Sequence, residues 1–144
     1  MSLRSPLGVL VVVLSSSSAL AQDARQLVKL PGPAAETLRQ EMRDNLVALN
    51  EILTLTVSGK VKEAGLVAEK KLGTSVMGQH RDKALEARPG PHMPKEMHDL
   101  ARQGHQTASA FAAIAATDNR EKALAALPSL NNACVSCHLA YRVR

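Results

Sequence analysis

Apolar residues recur along this chain at steps of three and four, the spacing that lines one face of an α-helix. The pattern predicts helices over about residues 34–57, from 60 into the low eighties, and from 94 or 95 to about 117. A fourth predicted helix follows Asp118 and reaches Tyr141. No stretch alternates convincingly with period two, so we expect an all-α fold, an antiparallel four-helix bundle with short connections.

The first, third and last predicted helices each carry a face of six mainly apolar positions, which in the third comprises Met97, Leu100, Gly104, Thr107, Phe111 and Ile114. The first face comprises Leu38, Met42, Leu46, Leu49, Leu53 and Thr56, and the last comprises Leu124, Leu127, Asn131, Cys134, His138 and Tyr141. The last face has the heptad-like spacing of a helical bundle, and Pro128 predicts a kink or short break within it. The face of the second helix is rich in small residues, so this helix can approach a neighbour closely.

Glycine, proline and capping residues mark the helix boundaries. Gly73 and Gly78 weaken the second half of the second helix by about 1 kcal/mol each relative to alanine. The clearest linker is residues 88–94, which contain three prolines and a glycine. Asp118, with Glu121 three residues later, predicts a capping box at the start of the fourth helix.

Residues 1–21 follow a different pattern. One cation, Arg4, precedes an apolar run from Leu7 to Leu14 and small residues that end at Ala21. This order is typical of a secretory signal peptide, with cleavage after Ala21. The run is shorter than about 20 residues, the length that spans a bilayer, so we expect no membrane anchor after cleavage. Residues 22–144 are then expected to form one exported bundle domain.

Composition and charge exclude one class of partner. The chain has a formal net charge of +5, and loss of Arg4 with the signal peptide leaves +4. Its aromatic residues are Phe111 and Tyr141, so it lacks the stacking platforms that single-stranded nucleic-acid binders place beside basic groups. The mild basicity therefore indicates solubility and docking to partners, and not nucleic-acid binding.

The strongest motif is Cys134-Val135-Ser136-Cys137-His138, a C-x-x-C-H run. This run is the signature of haem c attachment, in which two thiols bond the porphyrin and the imidazole takes one axial face of the iron. Positions i, i+3 and i+4 share one helix face, so all three side chains can face one macrocycle. A thioredoxin-like pair would need a βαβ context, and a structural zinc site would need a fourth ligand.

The residues around the motif have predicted roles of their own. His138 is expected to bind iron through Nε2 while its Nδ1–H bonds a carbonyl or carboxylate. Tyr141 falls on the same helix face, and Arg142 is a candidate partner of a haem propionate through its bidentate fork. Because the haem uses both cysteines, we expect no structural disulfide.

A four-helix bundle with C-x-x-C-H on its last helix, followed by Tyr141 and Arg142, resembles the class II c-type cytochromes. This family comprises cytochrome c-prime and its low-spin relatives. The resemblance covers the layout of residues 22–144, and its C-terminal motif is the diagnostic part. It implies a periplasmic location, one covalent haem c, and often a homodimer formed through the first two helices.

The resemblance leaves the second axial position open. In cytochrome c-prime this position is empty, and the haem binds nitric oxide or carbon monoxide. In the low-spin relatives a methionine near the start of the first helix fills it, and residues 39–45, Arg-Gln-Glu-Met-Arg-Asp-Asn, are similar to that ligand's surroundings. Met42 is therefore the predicted second ligand, although a methionine at this spacing can also be a core filler. The other candidates are Met77, Met93, Met97, His80, His92 and His105.

Two functions follow from these alternatives. The first is a periplasmic electron carrier, not an enzyme, with His138/Met42 ligation and cations that steer acidic periplasmic or membrane-bound redox partners. The second is a five-coordinate haem protein that binds nitric oxide or carbon monoxide. A third, a structural or metal-storage bundle, requires the haem motif to be coincidental.

Overall fold

A computed structural model describes residues 23–144, so the predicted signal peptide lies outside the described residues. Its elements are β1 (Gln26–Val28), α1 (Gly32–Val57), α2 (Val61–Leu72), α3 (Lys95–Ala116), α4 (Arg120–Ala140) and β2 (Tyr141–Val143). Three short 3₁₀ turns, Thr74–Val76, Leu85–Ala87 and Gly90–His92, lie between α2 and α3. The all-α prediction is confirmed. No helix among residues 23–144 has the length and apolarity to cross a membrane.

The four helices pack in cyclic order, α1 on α2, α2 on α3, α3 on α4 and α4 on α1. Lys62 at the start of α2 lies 3.2 Å from Asp118, which follows the end of α3. Arg120 at the start of α4 donates to the carbonyl of Val57 at the end of α1, at 2.8 Å. Helices α2 and α3, and helices α1 and α4, therefore run in opposite directions.

The prediction that the second helix continues into the low eighties is wrong, because α2 ends at Leu72. The Glu69 carboxylate turns back and accepts hydrogen bonds from the Ser75 amide at 3.0 Å and the Ser109 hydroxyl at 2.5 Å. The bond from Ser109 is the main reason that the pKa of Glu69 is lowered. A Cβ at Gly73 would lie 2.5 Å from that carboxylate, so only glycine leaves room for the Glu69 side chain in this position.

Helix α4 differs from its prediction at both ends. The Asn119 side chain accepts from the Lys122 amide at 2.9 Å and caps the helix, so the predicted capping box at Asp118 is wrong. Pro128 lies inside α4, which continues past it. The helix ends at Ala140, and Tyr141 belongs to a strand and not to the helix face.

A two-stranded parallel ladder joins the two ends of the described chain. Strand β1 pairs with β2 so that Leu27 lies opposite Arg142 and Val28 opposite Val143. We predicted no strand, because three-residue segments are too short to show a period. Pairing of this kind depends on a partner more than a hundred positions away.

The bundle has two hydrophobic cores. The first joins all four helices and contains Ile52, Val61, Ala64, Ala68, Ala108, Phe111, Ala115, Ala123 and Leu130. The second contains Val28, Leu30, Ala34, Ala35, Leu38 and Met97, with Met93, Cys137, Tyr141 and Val143 packed against it. Along α1, α3 and α4, the two cores therefore occupy different stretches of each helix.

The predicted inner face of α1 is only partly correct. Leu38 and Thr56 are buried, but Met42, Leu46 and Leu53 are exposed. The helix packs instead through Ala48 and Ile52. Met42, Leu46 and Leu53 thus lie beside the buried face of α1, and not on it.

Small residues bring α2 and α3 into close contact, as the sequence predicts. Gly65 of α2 is buried, and a Cβ at this position would lie 2.8 Å from the Cβ of Ala115 and 3.1 Å from the carbonyl oxygen of Ala112. By contrast, a Cβ at Gly104 of α3 would meet only the Cβ of Ala133, at 3.9 Å. The two glycines therefore differ in the space available to a side chain.

We predict opposite effects of alanine at these two glycines. Gly104→Ala should raise the free energy of unfolding by up to about 1 kcal/mol through helix propensity. Gly65→Ala gains the same propensity but forces α2 and α3 apart, and should lower that free energy by roughly 1–3 kcal/mol. Urea unfolding followed by far-UV circular dichroism measures both, and equal stabilisation by the two variants would contradict the close contact.

Candidate functional site

A cleft of about 1320 Å³ lies where α1, α3 and α4 pass from one core to the other. Its walls include Leu38 and Met97 of the second core and Ala108 and Leu130 of the first. The volume exceeds the roughly 300–1,000 Å³ of most small-molecule pockets. The cleft therefore has the size and apolar walls that suit a large, mainly apolar ligand.

All the site residues predicted from the sequence line this one cleft. Cys134, Cys137 and His138 reach it from α4, Met42 from α1 and Arg142 from β2. The first three positions share a helix face, as their spacing predicts. The fold thus brings a methionine thioether and the C-x-x-C-H side chains, which are far apart in sequence, to the same cleft.

The two cysteines are free thiols. Cys134 is exposed, whereas Cys137 is half-buried and packs against the second core. Partial burial in the cleft wall raises the pKa of both thiols, and the neighbouring Cys134 adds to the rise at Cys137. Both sulfurs are therefore mainly protonated at neutral pH in the haem-free chain.

The contacts of His138 are made through its backbone. The Arg25 guanidinium donates through Nη1 to the His138 carbonyl, at 3.4 Å. Among the described residues, no group is hydrogen-bonded to the His138 ring, so the predicted partner of Nδ1 is not found there. The exposed ring lines the cleft.

Most of the alternative axial ligands also line the cleft: Met77, Met93, Met97, His80 and His105. Both histidines of this group lie close to other polar atoms of the protein. His105 Nδ1 lies 2.8 Å from the Leu72 carbonyl, and His80 Nε2 lies 3.4 Å from the Glu41 carboxylate. His92 is outside the cleft lining, with Nε2 at 3.0 Å from the Leu85 carbonyl.

Cations predominate along the cleft. The basic residues lining it are Arg25, Arg81, Arg88, Lys95, Arg102 and Arg142, whereas the only carboxylate in the lining within residues 23–144 is Glu41. Lys95 and Arg102 share Asp99, at 2.5 and 2.7 Å. The lining therefore favours anionic groups, and the propionate contact of Arg142 stays a prediction.

The sequence analysis did not identify Arg25 or strand β1 as part of this region. Arg25 contacts the carbonyl of the predicted iron ligand, and Val28 belongs to the core that packs against Cys137. No local signal singles out Arg25 from the other surface cations. Its role depends on the pairing of β1 with β2, which the sequence does not reveal.

The residues present fit a haem. Apolar walls, two cysteines and a histidine on one helix face, a methionine in the same cleft lining and surrounding cations are the donors and contacts that such a group needs. Within residues 23–144, no cluster of three or more His, Cys, Asp or Glu side chains is arranged to hold a bare metal ion. A haem brings its own equatorial nitrogen ligands and asks the protein only for axial ones.

Comparison with protein-family models, curated proteins and solved structures finds no match to this chain.

We predict slow alkylation of both cysteines in the reduced, haem-free chain. Because the folded protein raises both thiol pKa values, the rate of reaction with iodoacetamide at pH 8 should be lower than in the same chain unfolded in urea. The pH at which the alkylation rate reaches half of its maximum should also be higher in the folded chain than in the unfolded one. A lower midpoint in the folded chain would show that the site stabilises thiolates instead.

Proposed function

We propose that this chain is an exported c-type cytochrome of the class II kind, a carrier of one electron and not an enzyme. Cys134 and Cys137 hold haem c through two thioethers, with His138 and Met42 as axial ligands. The observation that supports this most strongly is the shared cleft, which the C-x-x-C-H side chains line from α4 and Met42 lines from α1.

The residues of the chain have separate tasks in this proposal. When bound, the haem supplies one-electron chemistry at its iron. His138 and Met42 set the preference between ferric and ferrous states, since a thioether favours the ferrous state. Leu38, Leu49 and Leu100 line the cleft and keep water from the porphyrin faces.

The cations of the cleft suit an acidic redox partner in the periplasm or at its membranes. Arg81 and Arg88, in the connection between α2 and α3, and Arg102 of α3 all line the cleft. Opposite charge on a partner would raise the rate of encounter and orient its approach, an effect that weakens as salt rises. Exposed Val135 and Leu139 of α4 border the same region and offer an apolar contact.

The Met42→Ala variant tests the proposed ligation. The wild-type ferric haem is expected to be six-coordinate and low-spin, and loss of the thioether should make it high-spin. Met77→Ala is a matched control, because Met77 also lines the cleft and is 39% exposed, against 37% for Met42. Optical spectra of the purified proteins should change for Met42→Ala alone.

Other outcomes of this experiment distinguish the alternatives. An unchanged spectrum in Met42→Ala would remove Met42 from the ligand set. A high-spin wild-type protein whose ferrous form takes up carbon monoxide at once would be a gas-binding protein instead. Colourless protein with the mass of the bare polypeptide, made in cells that mature cytochromes, would refute haem attachment altogether.

We further propose that the protein forms a homodimer through its first two helices. Leu46, Leu53 and Val57 form an exposed apolar line along α1 at helical spacing, and Leu46, at one end of this line, also lies at the cleft. A stripe of this kind on a small protein is typical of a contact surface. A second copy of the same helix would cover it.

The Leu53→Lys variant is expected to weaken this dimer, because it places a cation in the stripe of each copy. Leu139→Lys makes the same change at an exposed leucine of α4, outside the apolar line of α1, and should leave the oligomeric state unchanged. Sedimentation equilibrium measures both. A monomeric wild-type protein at micromolar concentration, or dimers of equal stability in both variants, would exclude this interface.

A further inference from the structure

The last turn of α4 carries His138 and is capped from the other end of the chain. Backbone carbonyls in a last helical turn lack partners within the helix and need donors from elsewhere. The Tyr141 amide donates to the Cys137 carbonyl, and Arg25 donates to the His138 carbonyl at 3.4 Å. Arg25 is 113 residues away in sequence. Its positive charge also suits the negative end of the helix dipole.

Asp23 holds Arg25 in this place. The Asp23 carboxylate lies 2.7 Å from Arg25 Nη2 and 2.9 Å from Arg25 Nε, and these hydrogen bonds lower the pKa of Asp23 to about 2. The same carboxylate lies 3.5 Å from Nε of Arg142, which donates to the Arg25 carbonyl at 3.4 Å. The ionised Asp23 carboxylate thus contacts two guanidinium groups, that of Arg25 just before β1 and that of Arg142 in β2.

Strand pairing and burial fix this segment against α4. The ladder of β1 and β2 extends to Arg144, whose amide donates to the Val28 carbonyl at 3.4 Å. Val28 and Leu30 are buried in the second core, against which Cys137 and Tyr141 pack. The segment therefore contributes to the core that supports one of the two predicted haem-bearing cysteines.

We propose that residues 23–30 act as a clasp that positions His138, with Arg25 as the positioning residue. This inference rests on the proposed haem ligation. Helix ends fray readily, and a frayed last turn would carry the His138 ring away from the cleft. The clasp restrains that turn through the backbone of His138 itself, so the imidazole faces the cleft before any ligand arrives.

Hydrogen exchange tests the clasp independently of haem. Arg25→Met should speed exchange of the amide protons of residues 139–143 about tenfold, because local opening of the last turn becomes easier. Lys62→Met is the matched control. It removes one surface cation and its ion pair with Asp118, which precedes α4. The first residue of α4, Arg120, is about 27 Å along the helix from His138 at 1.5 Å per residue, so this exchange should stay unchanged.

Guanidinium unfolding of the haem-loaded protein tests the positioning of His138. In the wild type and in Lys62→Met, the low-spin bands and the helical circular dichroism should be lost at the same denaturant concentration. In Arg25→Met, the bands should be lost at a lower concentration than the helices. Arg25→Lys keeps the charge without the planar fork and should restore part of the difference.

The outcomes separate the two proposals. Unchanged exchange in Arg25→Met, or equal changes in Arg25→Met and Lys62→Met, would overturn the clasp even if haem is attached. Simultaneous loss of bands and helices in Arg25→Met would refute the positioning of His138. A colourless wild type would refute the haem proposal, and faster exchange in Arg25→Met would still establish the clasp. If Arg25→Met does not fold, Asp23→Asn releases the same guanidinium and is held to the same exchange criterion.

Discussion

The separation of the two hydrophobic cores is the constraint on which the rest of this structure depends. In the first core, Gly65 and several alanines let α2 approach α3 closely. The second core is built around β1 and the start of α1. Between the two cores, apolar side chains of α1, α3 and α4 line the cleft.

Helix α4 belongs to both the bundle and the cleft, because its first part packs in the first core and its last part lies along the cleft. Ala123 and Leu130 bury the first part of the helix in the first core. After Leu130 the side chains of Cys134 and His138 lie exposed along the cleft, and Cys137 turns towards the second core. The same helical period that packs the bundle therefore presents the C-x-x-C-H side chains together.

The two ends of the described part of the chain, residues 23–30 and 141–144, meet beside the cleft. Strand β1 and the Asp23–Arg25 pair tie the residues after α4 to the start of α1, so the end of the helix is held on two sides. The connection between α2 and α3 contributes Arg81 and Arg88 to the cleft. Elements outside the four helices thus supply much of the positive charge around the cleft, whereas Met42 lines it from α1 and Cys134, Cys137 and His138 line it from α4.

Local spacing in the sequence determined the four helices, the small-residue face of α2 and the common face of Cys134, Cys137 and His138, because each depends on residues within a few turns. The end of α2 at Leu72 was predicted too far along the chain although Gly73 follows it directly. The bond between Glu69 and Ser109 beside this end joins residues forty positions apart, which local spacing does not show. Tertiary structure alone brought Met42 to the cleft of His138, paired β1 with β2 and set Arg25 on the end of α4. These contacts join residues from distant parts of the chain, and no periodic pattern in a single sequence records which distant residues will meet.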